Sequence, residues 1–127
     1  MIAAGIGFNS QATSDCIIEV VRATLLAREL ELGDLSAVAT SLAKASDARA
    51  QTAAMALAVP LLGMPDTALE AESARAISSS QRVQALIGVP SLAECAALAA
   101  AGENASLLGA RTSNDVATCA LAVGGAG

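Results

Sequence analysis

With 127 residues, a net charge of −5 and only seven basic side chains, the chain lacks the clustered Lys and Arg that nucleic acid and anionic membrane surfaces require. It contains no histidine, the commonest general base and metal ligand, so we expect neither a metal site nor a bound cofactor. This length is typical of one domain, here residues 1–127, with a buried core.

Apolar residues make up 54% of the chain but aromatic residues only 1%, which predicts a closely packed core of Ala, Val, Leu and Ile. The three cysteines, Cys16, Cys95 and Cys119, are far apart and lie in apolar stretches. We interpret them as small buried side chains rather than metal ligands. Their odd number, with no signal peptide, favours the reducing cytoplasm.

Strand and helix patterns alternate along the first half of the chain. The predicted elements are a strand at 2–7, a helix at 13–32 that Thr13 or Ser14 caps, a strand at 36–41, a helix from Ser46 or Asp47 to 58, and a strand at 59–63. The first helix has an apolar face that comprises Ile17, Val20, Val21, Thr24 and Leu25.

The second half is predicted in the same way. It comprises a loop at 66–79, a short helix at 80–88, a helix at 91–101, strands at 105–109 and 116–123 around a turn at 111–115, and a frayed tail at 124–127. The alternation predicts a three-layer α/β/α domain with a mostly parallel sheet of about five strands, the last two adjacent. In such sheets ligands bind outside the carboxyl ends of the strands.

The turn after the first strand is a candidate ligand-binding loop. Gly5 and Gly7 begin it like a dinucleotide-binding fingerprint, but Ser10 occupies the third glycine position, so a nucleotide site is disfavoured. Phe8, the only aromatic residue, and Asn9 follow, outside the main apolar runs. The turn either faces a ligand or merely allows the chain to bend sharply.

Three further positions are candidates for a carboxylate-binding cleft. Lys44, the only lysine, follows a predicted strand and precedes a helix, where a cation attracts carboxylate or phosphate; alternatively it is solvated or pairs with Asp47. Arg111 lies in a polar turn, and Met64 begins the loop after the third strand. We expect Lys44 and Met64 to line one cleft with the loop at 7–10.

Acidic residues are the candidates for acid–base chemistry. Glu94 matches the capping-box position relative to Ser91, a structural role that accounts for it. Asp66 and Glu70 lie one helical turn apart, which allows an acid–base pair but is more typical of surface charges.

Four sequence blocks resemble a known family. They are the Gly5-Ile6-Gly7 turn with its polar continuation, Lys44 with Asp47, the block of Ser80, Val83, Gly88, Val89, Ser91–Glu94, Ala96 and Ala97, and Arg111 with Val116–Ala120. The chain thereby resembles the CobE family of aerobic cobalamin biosynthesis, which is similar to the C-terminal domain of CbiG, the cobalt-precorrin-5A hydrolase. Leu42 stands where that family pattern has an Asp.

The resemblance implies a role in building the corrin ring. The implied partner is a precorrin or a hydrogenobyrinic-acid-like tetrapyrrole, a flat molecule rimmed by carboxylates, with other cobalamin-pathway enzymes as further partners. On this interpretation Lys44 and Arg111 hold ligand carboxylates, while Phe8 and Met64 contact the face of the ring.

Two main hypotheses follow from the resemblance, with a third alternative. The first is an accessory protein that binds, carries or protects an unstable intermediate. The second is a hydrolase of the precorrin ring lactone, for which Lys44, Asp47 and Glu94 are the candidate acids and bases. The third is a non-catalytic protein-interaction domain. The missing histidine and Leu42 favour the first hypothesis.

Overall fold

The computed structural model of the protein describes residues 1–72, 92–102, 104–109, 111–114 and 116–124. It contains a central β-sheet with helices on both faces. The strands are β1 (Ile2–Phe8), β2 (Ala37–Ser41), β3 (Leu61–Met64), β4 (Ser106–Leu107), β5 (Thr112–Ser113) and β6 (Ala117–Val123). The helices are α1 (Ser14–Ala27), α2 (Leu42–Ala45), α3 (Ala48–Ala56), α4 (Asp66–Ala71) and α5 (Leu92–Ala101), and a 3-10 turn spans Leu32–Asp34. None of these helices is long and apolar enough to cross a bilayer.

The sheet has the order β3-β2-β1-β6-β4, and β5 also pairs with β6. Its core is parallel, because β1 pairs with β2 and β2 with β3 in the same direction. In contrast, β6 runs antiparallel to β1 over its whole length, from Ile2 opposite Val123 to Phe8 opposite Ala117. The predicted fold class is therefore confirmed, and the start of β6 lies beside the carboxyl end of β1.

The C-terminal hairpin keeps its predicted pairing but has different bounds. Both β4 and β5 pair antiparallel with β6. The strand predicted at 105–109 is shortened to β4, and β5 lies within the stretch predicted as a turn. The turn itself closes at Asn114, whose side-chain Oδ1 accepts hydrogen bonds from the N–H groups of Val116 and Ala117. This division raises the strand number in the described residues from the predicted five to six.

Two helix predictions need correction. The helix predicted at 13–32 ends at Ala27, because Glu29 adopts a left-handed backbone (φ 57) and Leu30 N–H closes back onto the Leu25 carbonyl. Residues 66–71, predicted as a loop, form α4, which Pro65 precedes and which buries Leu69. The segment 73–91 lies outside the described residues, as do the predicted helix at 80–88 and the Ser91 cap.

The core occupies both faces of the sheet, because successive side chains of the buried strand β1 point to opposite faces. On one face Ala4, Ile6 and Phe8 pack against α1 and α3, where the five predicted apolar-face residues of α1 are all buried. On the other face Ala3 and Ala39 pack against α4 and α5. The expected aliphatic core is confirmed. Phe8, expected to face a ligand, is part of this core and is 7% exposed.

Gly5 allows α5 to approach β1 more closely than a side chain would permit. It is buried, and a Cβ placed there would collide with the backbone carbonyl of Ala93. Helix backbone cannot move aside as a flexible side chain can, so the absence of a side chain at Gly5 is a packing requirement. Gly5 lies beneath the helix and presents no surface to a ligand.

We expect Gly5→Ala to lower the free energy of unfolding by about 3 kcal/mol, since overpacking against backbone forces the helix off the sheet. Urea denaturation measures this change. Gly33→Ala is the matched control, because a Cβ at Gly33 meets nothing within 4 Å; its stability should change by at most about 1 kcal/mol. Equal stabilities of the two variants would contradict this account of the packing.

Candidate functional site

The candidate site lies at the edge of the sheet where the parallel strands end. Phe8 ends β1, Ser41 ends β2 and Met64 ends β3, while Ala117 begins β6 on the other side of β1. In α/β sheets this edge is where ligands bind, because loops and helix starts converge there. The loop between β1 and α1, residues 9–13, forms its centre and is called the β1–α1 loop below.

The turn from β2 into α2 places Lys44 at this edge. Thr40 Oγ1 donates to the Ile6 carbonyl at 2.8 Å, which ties β2 to β1 within the core. Ser41 then caps α2, since its Oγ accepts the Lys44 N–H at 3.2 Å. The lysine therefore leaves the sheet one turn after β2 and points back toward the end of β1.

The Lys44 amine binds the end of β1. Its Nζ donates to the Phe8 carbonyl at 2.6 Å and lies 4.4 Å from the centre of the Phe8 ring. Burial and then the Arg49 charge lower the pKa of Lys44, against the opposing effect of Asp47. Within the described part of the chain the ammonium group has no carboxylate at ion-pair distance. The described residues supply an acceptor for one of its three protons, which leaves two for another acceptor.

Asp47 pairs with Arg49 and not with Lys44, so the alternative that Lys44 pairs with Asp47 is wrong. The Asp47 carboxylate caps α3 by accepting the Arg49 N–H at 2.9 Å, and it accepts Nε at 3.0 Å and Nη2 at 2.8 Å. These hydrogen bonds from Arg49 lower the pKa of Asp47 to about 2.

Arg49 is a site residue that sequence reasoning missed. Its Nη1 donates to the carbonyls of Asn9 at 3.1 Å and Ala12 at 2.8 Å, both in the β1–α1 loop. Its guanidinium carbon lies 5.0 Å from the centre of the Phe8 ring. The only local signal is its place two residues after the helix-capping Asp47; the loop contacts span 37 and 40 residues and leave no pattern in the sequence.

The β1–α1 loop is also held from within and from β6. Asn9 Oδ1 accepts the Gln11 N–H at 2.8 Å, and Asn9 N–H donates to the Val116 carbonyl at 3.0 Å. Thr13 caps α1 by accepting the Cys16 N–H. The helix start is thus capped by the chain itself, and the loop has a defined conformation with Ser10 exposed at its tip.

The remaining predicted ligand contacts are divided between the faces of the sheet. Gly7 packs against the Leu92 side chain at the start of α5, with its nearest approach near 3.8 Å for an added Cβ. Met64 is half-buried and packs with Leu69 and Leu92, on the face opposite the Phe8 ring. The expectation that Phe8 and Met64 flank one ligand face therefore does not fit the fold.

Arg111 and Glu94 lie on the other side of β1 from Lys44. Arg111 precedes β5, which is three strand positions from β2, or about 14 Å across the sheet. Glu94 is 0% exposed, and its Oε2 accepts the Arg111 N–H at 3.3 Å. The structure thus joins Arg111 to Glu94 and Lys44 to Phe8, while Arg49 joins Phe8, Asn9 and Asp47.

The cysteines differ in their surroundings. Cys95 and Cys119 are buried as predicted, and burial raises the pKa of Cys119 to about 12. Cys16 is partly exposed at the start of α1, so the prediction that it is buried is wrong; a hydrogen bond from the Thr13 hydroxyl lowers the pKa of its thiol. Among the described residues no three His, Cys, Asp or Glu side chains cluster as metal ligands would.

The Asp47–Arg49 pair predicts a titration at low pH. Because the folded-state pKa of Asp47 is about 2, below its ordinary 3.8, the stabilisation it provides is complete above pH 3.8 and is lost as the pH falls through 2. Carboxyl ¹³C chemical shifts should show the Asp47 midpoint near 2 and, in Arg49→Gln, a midpoint that returns toward 3.8. A wild-type midpoint near 3.8 would contradict the pairing.

Comparisons with known proteins agree on one family. Residues 2–122 match the family described as Cobalamin synthesis G C-terminus. The chain is 33% identical to Protein CobE from Sinorhizobium sp over 118 residues, which is 93% of this chain and 77% of that protein.

Solved structures extend the comparison. The crystal structure of CobE, a protein from the cobalamin (vitamin B12) biosynthetic pathway, has a TM-score of 0.91 at 31% identity and covers 96% of this chain and 89% of its own. The cobalamin biosynthesis protein chiG from Agrobacterium tumefaciens has a TM-score of 0.80 at 32% identity, with 99% and 100% covered.

A cobalamin biosynthesis protein G homologue from Sulfolobus solfataricus shares the fold, with a TM-score of 0.71 at 17% identity; the match covers 99% of this chain and 37% of that larger one. The family match over residues 2–122 and the relative at 33% identity carry the assignment. This chain therefore belongs to the Cobalamin synthesis G C-terminus family.

Proposed function

We propose that this protein, which takes part in cobalamin biosynthesis, binds a precorrin or hydrogenobyrinic-acid-like intermediate through its carboxylates and acts as an accessory factor. The observation that carries the proposal is the Lys44 ammonium group. It is half-buried at the edge where β1 and β2 end, and it has protons available for an acceptor. Such a cation gains most from an anionic partner that reaches it from solvent.

The ligand chemistry follows from the surroundings of Lys44. The Phe8 carbonyl satisfies one of its protons but supplies no negative charge, and Asp47 is engaged by Arg49. Burial lowers the pKa of Lys44, which means that its charged form lacks full solvation. A carboxylate on the rim of a tetrapyrrole would restore that solvation and add a charge-assisted hydrogen bond.

The same geometry supports a binding role over lactone hydrolysis. Of the three candidate acids and bases, Glu94 is 0% exposed and accepts the Arg111 N–H. Both carboxylate oxygens of Asp47 accept hydrogen bonds from Arg49. A general base must reach the proton or water that it takes up. Lys44 and Asp47 both face solvent in part, but Arg49 engages the Asp47 carboxylate, and a cation at Lys44 suits anchoring of a carboxylate.

We expect Lys44→Met to weaken binding of hydrogenobyrinic acid by about 2 kcal/mol, or roughly 30-fold in Kd, since it removes one charge-assisted hydrogen bond and keeps the length of the side chain. A titration in which the visible spectrum of the corrinoid is monitored measures the affinity. Arg22→Met is the matched control, because Arg22 is an exposed cation on α1 and its loss changes the net charge equally.

A second ligand makes the titration specific. A corrinoid of the same ring with all its carboxylates converted to amides should bind wild type and Lys44→Met alike, and raising the salt concentration should weaken only the carboxylated ligand. Equal affinities of wild type, Lys44→Met and Arg22→Met for the carboxylated corrinoid would refute the site. No binding by wild type would refute the proposed function.

Glu94→Gln distinguishes the accessory role from a hydrolase. The Gln side-chain oxygen can still accept the Arg111 N–H, so we expect corrinoid affinity within about threefold of wild type. When chromatography is used to monitor opening of the precorrin lactone, neither wild type nor Glu94→Gln should show any. Wild-type turnover that disappears in Glu94→Gln would establish the hydrolase instead.

A further inference from the structure

The geometry points to Arg49, which pairs with Asp47, as a positioning residue that orients the β1–α1 loop. In that orientation the Phe8 carbonyl accepts a hydrogen bond from the Lys44 ammonium group and so fixes where the ammonium group lies. Four of the five N–H donors of Arg49 bind the described part of the protein, from Nε, Nη2 and twice from Nη1, so its main role is to hold the protein itself. The inference rests on the proposed function only where it concerns ligand affinity. The loop-holding role is independent of any ligand.

The planar fork of Arg49 is what connects α3 to the loop. One edge of the guanidinium group binds both oxygens of Asp47, and the remaining nitrogen reaches the Asn9 and Ala12 carbonyls. Asp47 itself is fixed as the cap of α3. A lysine has a single nitrogen and cannot make these contacts together, so the arrangement requires arginine.

The loop in turn determines where the Lys44 amine lies. Phe8 and Asn9 are adjacent, so Lys44 and Arg49 hold consecutive carbonyls, and both cations lie over the same Phe8 ring. The Asn9 N–H is held from the opposite side by the Val116 carbonyl. Asn9 is thereby held at its N–H by Val116 and at its carbonyl by Arg49. Release of the Asn9 carbonyl would loosen Asn9 and, next to it, the Phe8 carbonyl that orients Lys44.

The first test uses unliganded protein and hydrogen exchange of the backbone amides. In Arg49→Gln we expect exchange in the loop at 9–13 to rise by at least about tenfold, while exchange in β2 and β3 stays at the wild-type rate. Arg22→Gln, which removes an exposed cation elsewhere, should leave both regions unchanged. Loop exchange in Arg49→Gln at the wild-type rate would overturn the inference.

Two milder variants cover the case in which Arg49→Gln fails to fold. Arg49→Lys keeps the charge and loses the fork, so its loop exchange should rise as well. Asp47→Asn keeps a capping oxygen and weakens the orientation of Arg49, so it should give a smaller rise. Wild-type exchange in both variants would overturn the inference even without Arg49→Gln.

The second test is a double-mutant cycle on the affinity for hydrogenobyrinic acid. If Arg49 acts through Lys44, the roughly 30-fold cost of Lys44→Met in wild type should shrink to under about threefold in the Arg49→Gln background. A merely structural contribution of Arg49 would leave the two costs additive, and additivity overturns the positioning role.

Different results of these experiments would reject the proposed function and the positioning role of Arg49. If wild-type protein binds no corrinoid, the proposed function fails, and hydrogen exchange alone decides whether Arg49 holds the loop. If wild-type protein binds and Lys44→Met weakens binding, but loop exchange and the cycle show no effect of Arg49, the proposed function stands and the positioning inference fails.

Discussion

The close approach of α5 to β1 at Gly5 is the constraint on which the rest of the structure depends. A helix seated this near to the central strand covers one face of the sheet with small residues, among them Ala93, Ala96 and Ala97. The domain can therefore be thin and still have a closely packed core. The other face is then left for α1 and α3, and the N-terminal end of α3 carries the Asp47 and Arg49 side chains toward the site.

The cationic side chains of this site donate hydrogen bonds mainly to backbone carbonyls of the protein itself. Lys44 and Arg49 are used to hold carbonyl groups at the end of β1 and in the loop after it. In an acidic protein with a net charge of −5, Lys44 beside the Arg49–Asp47 ion pair leaves one net positive charge at the Phe8 ring without a basic surface. A carboxylated ligand would be attracted to that charge, while nucleic acid, which needs many contacts, would not.

Periodicity in the sequence was sufficient to predict the α/β class, the buried face of α1 and the position of Lys44 beside the first loop. It could not predict the order of the strands. Because β6 lies between β1 and β5, Arg111 is separated from Lys44, although both follow predicted turns. Arg49 was missed because its loop partners are distant in sequence. The burial of Phe8 could not be predicted from its isolated place in the sequence, because it depends on α1 and α3 packing around the ring.

The antiparallel pairing of β6 with β1 has a consequence for how such a domain can be joined to others. Gly124 N–H donates to the Met1 carbonyl at 2.7 Å, so the two described ends of the chain meet at one corner of the sheet. That corner is a full strand length, about 20 Å, from the end of β1 where Lys44 lies. A domain joined to the chain at this corner would leave the edge at Lys44 uncovered.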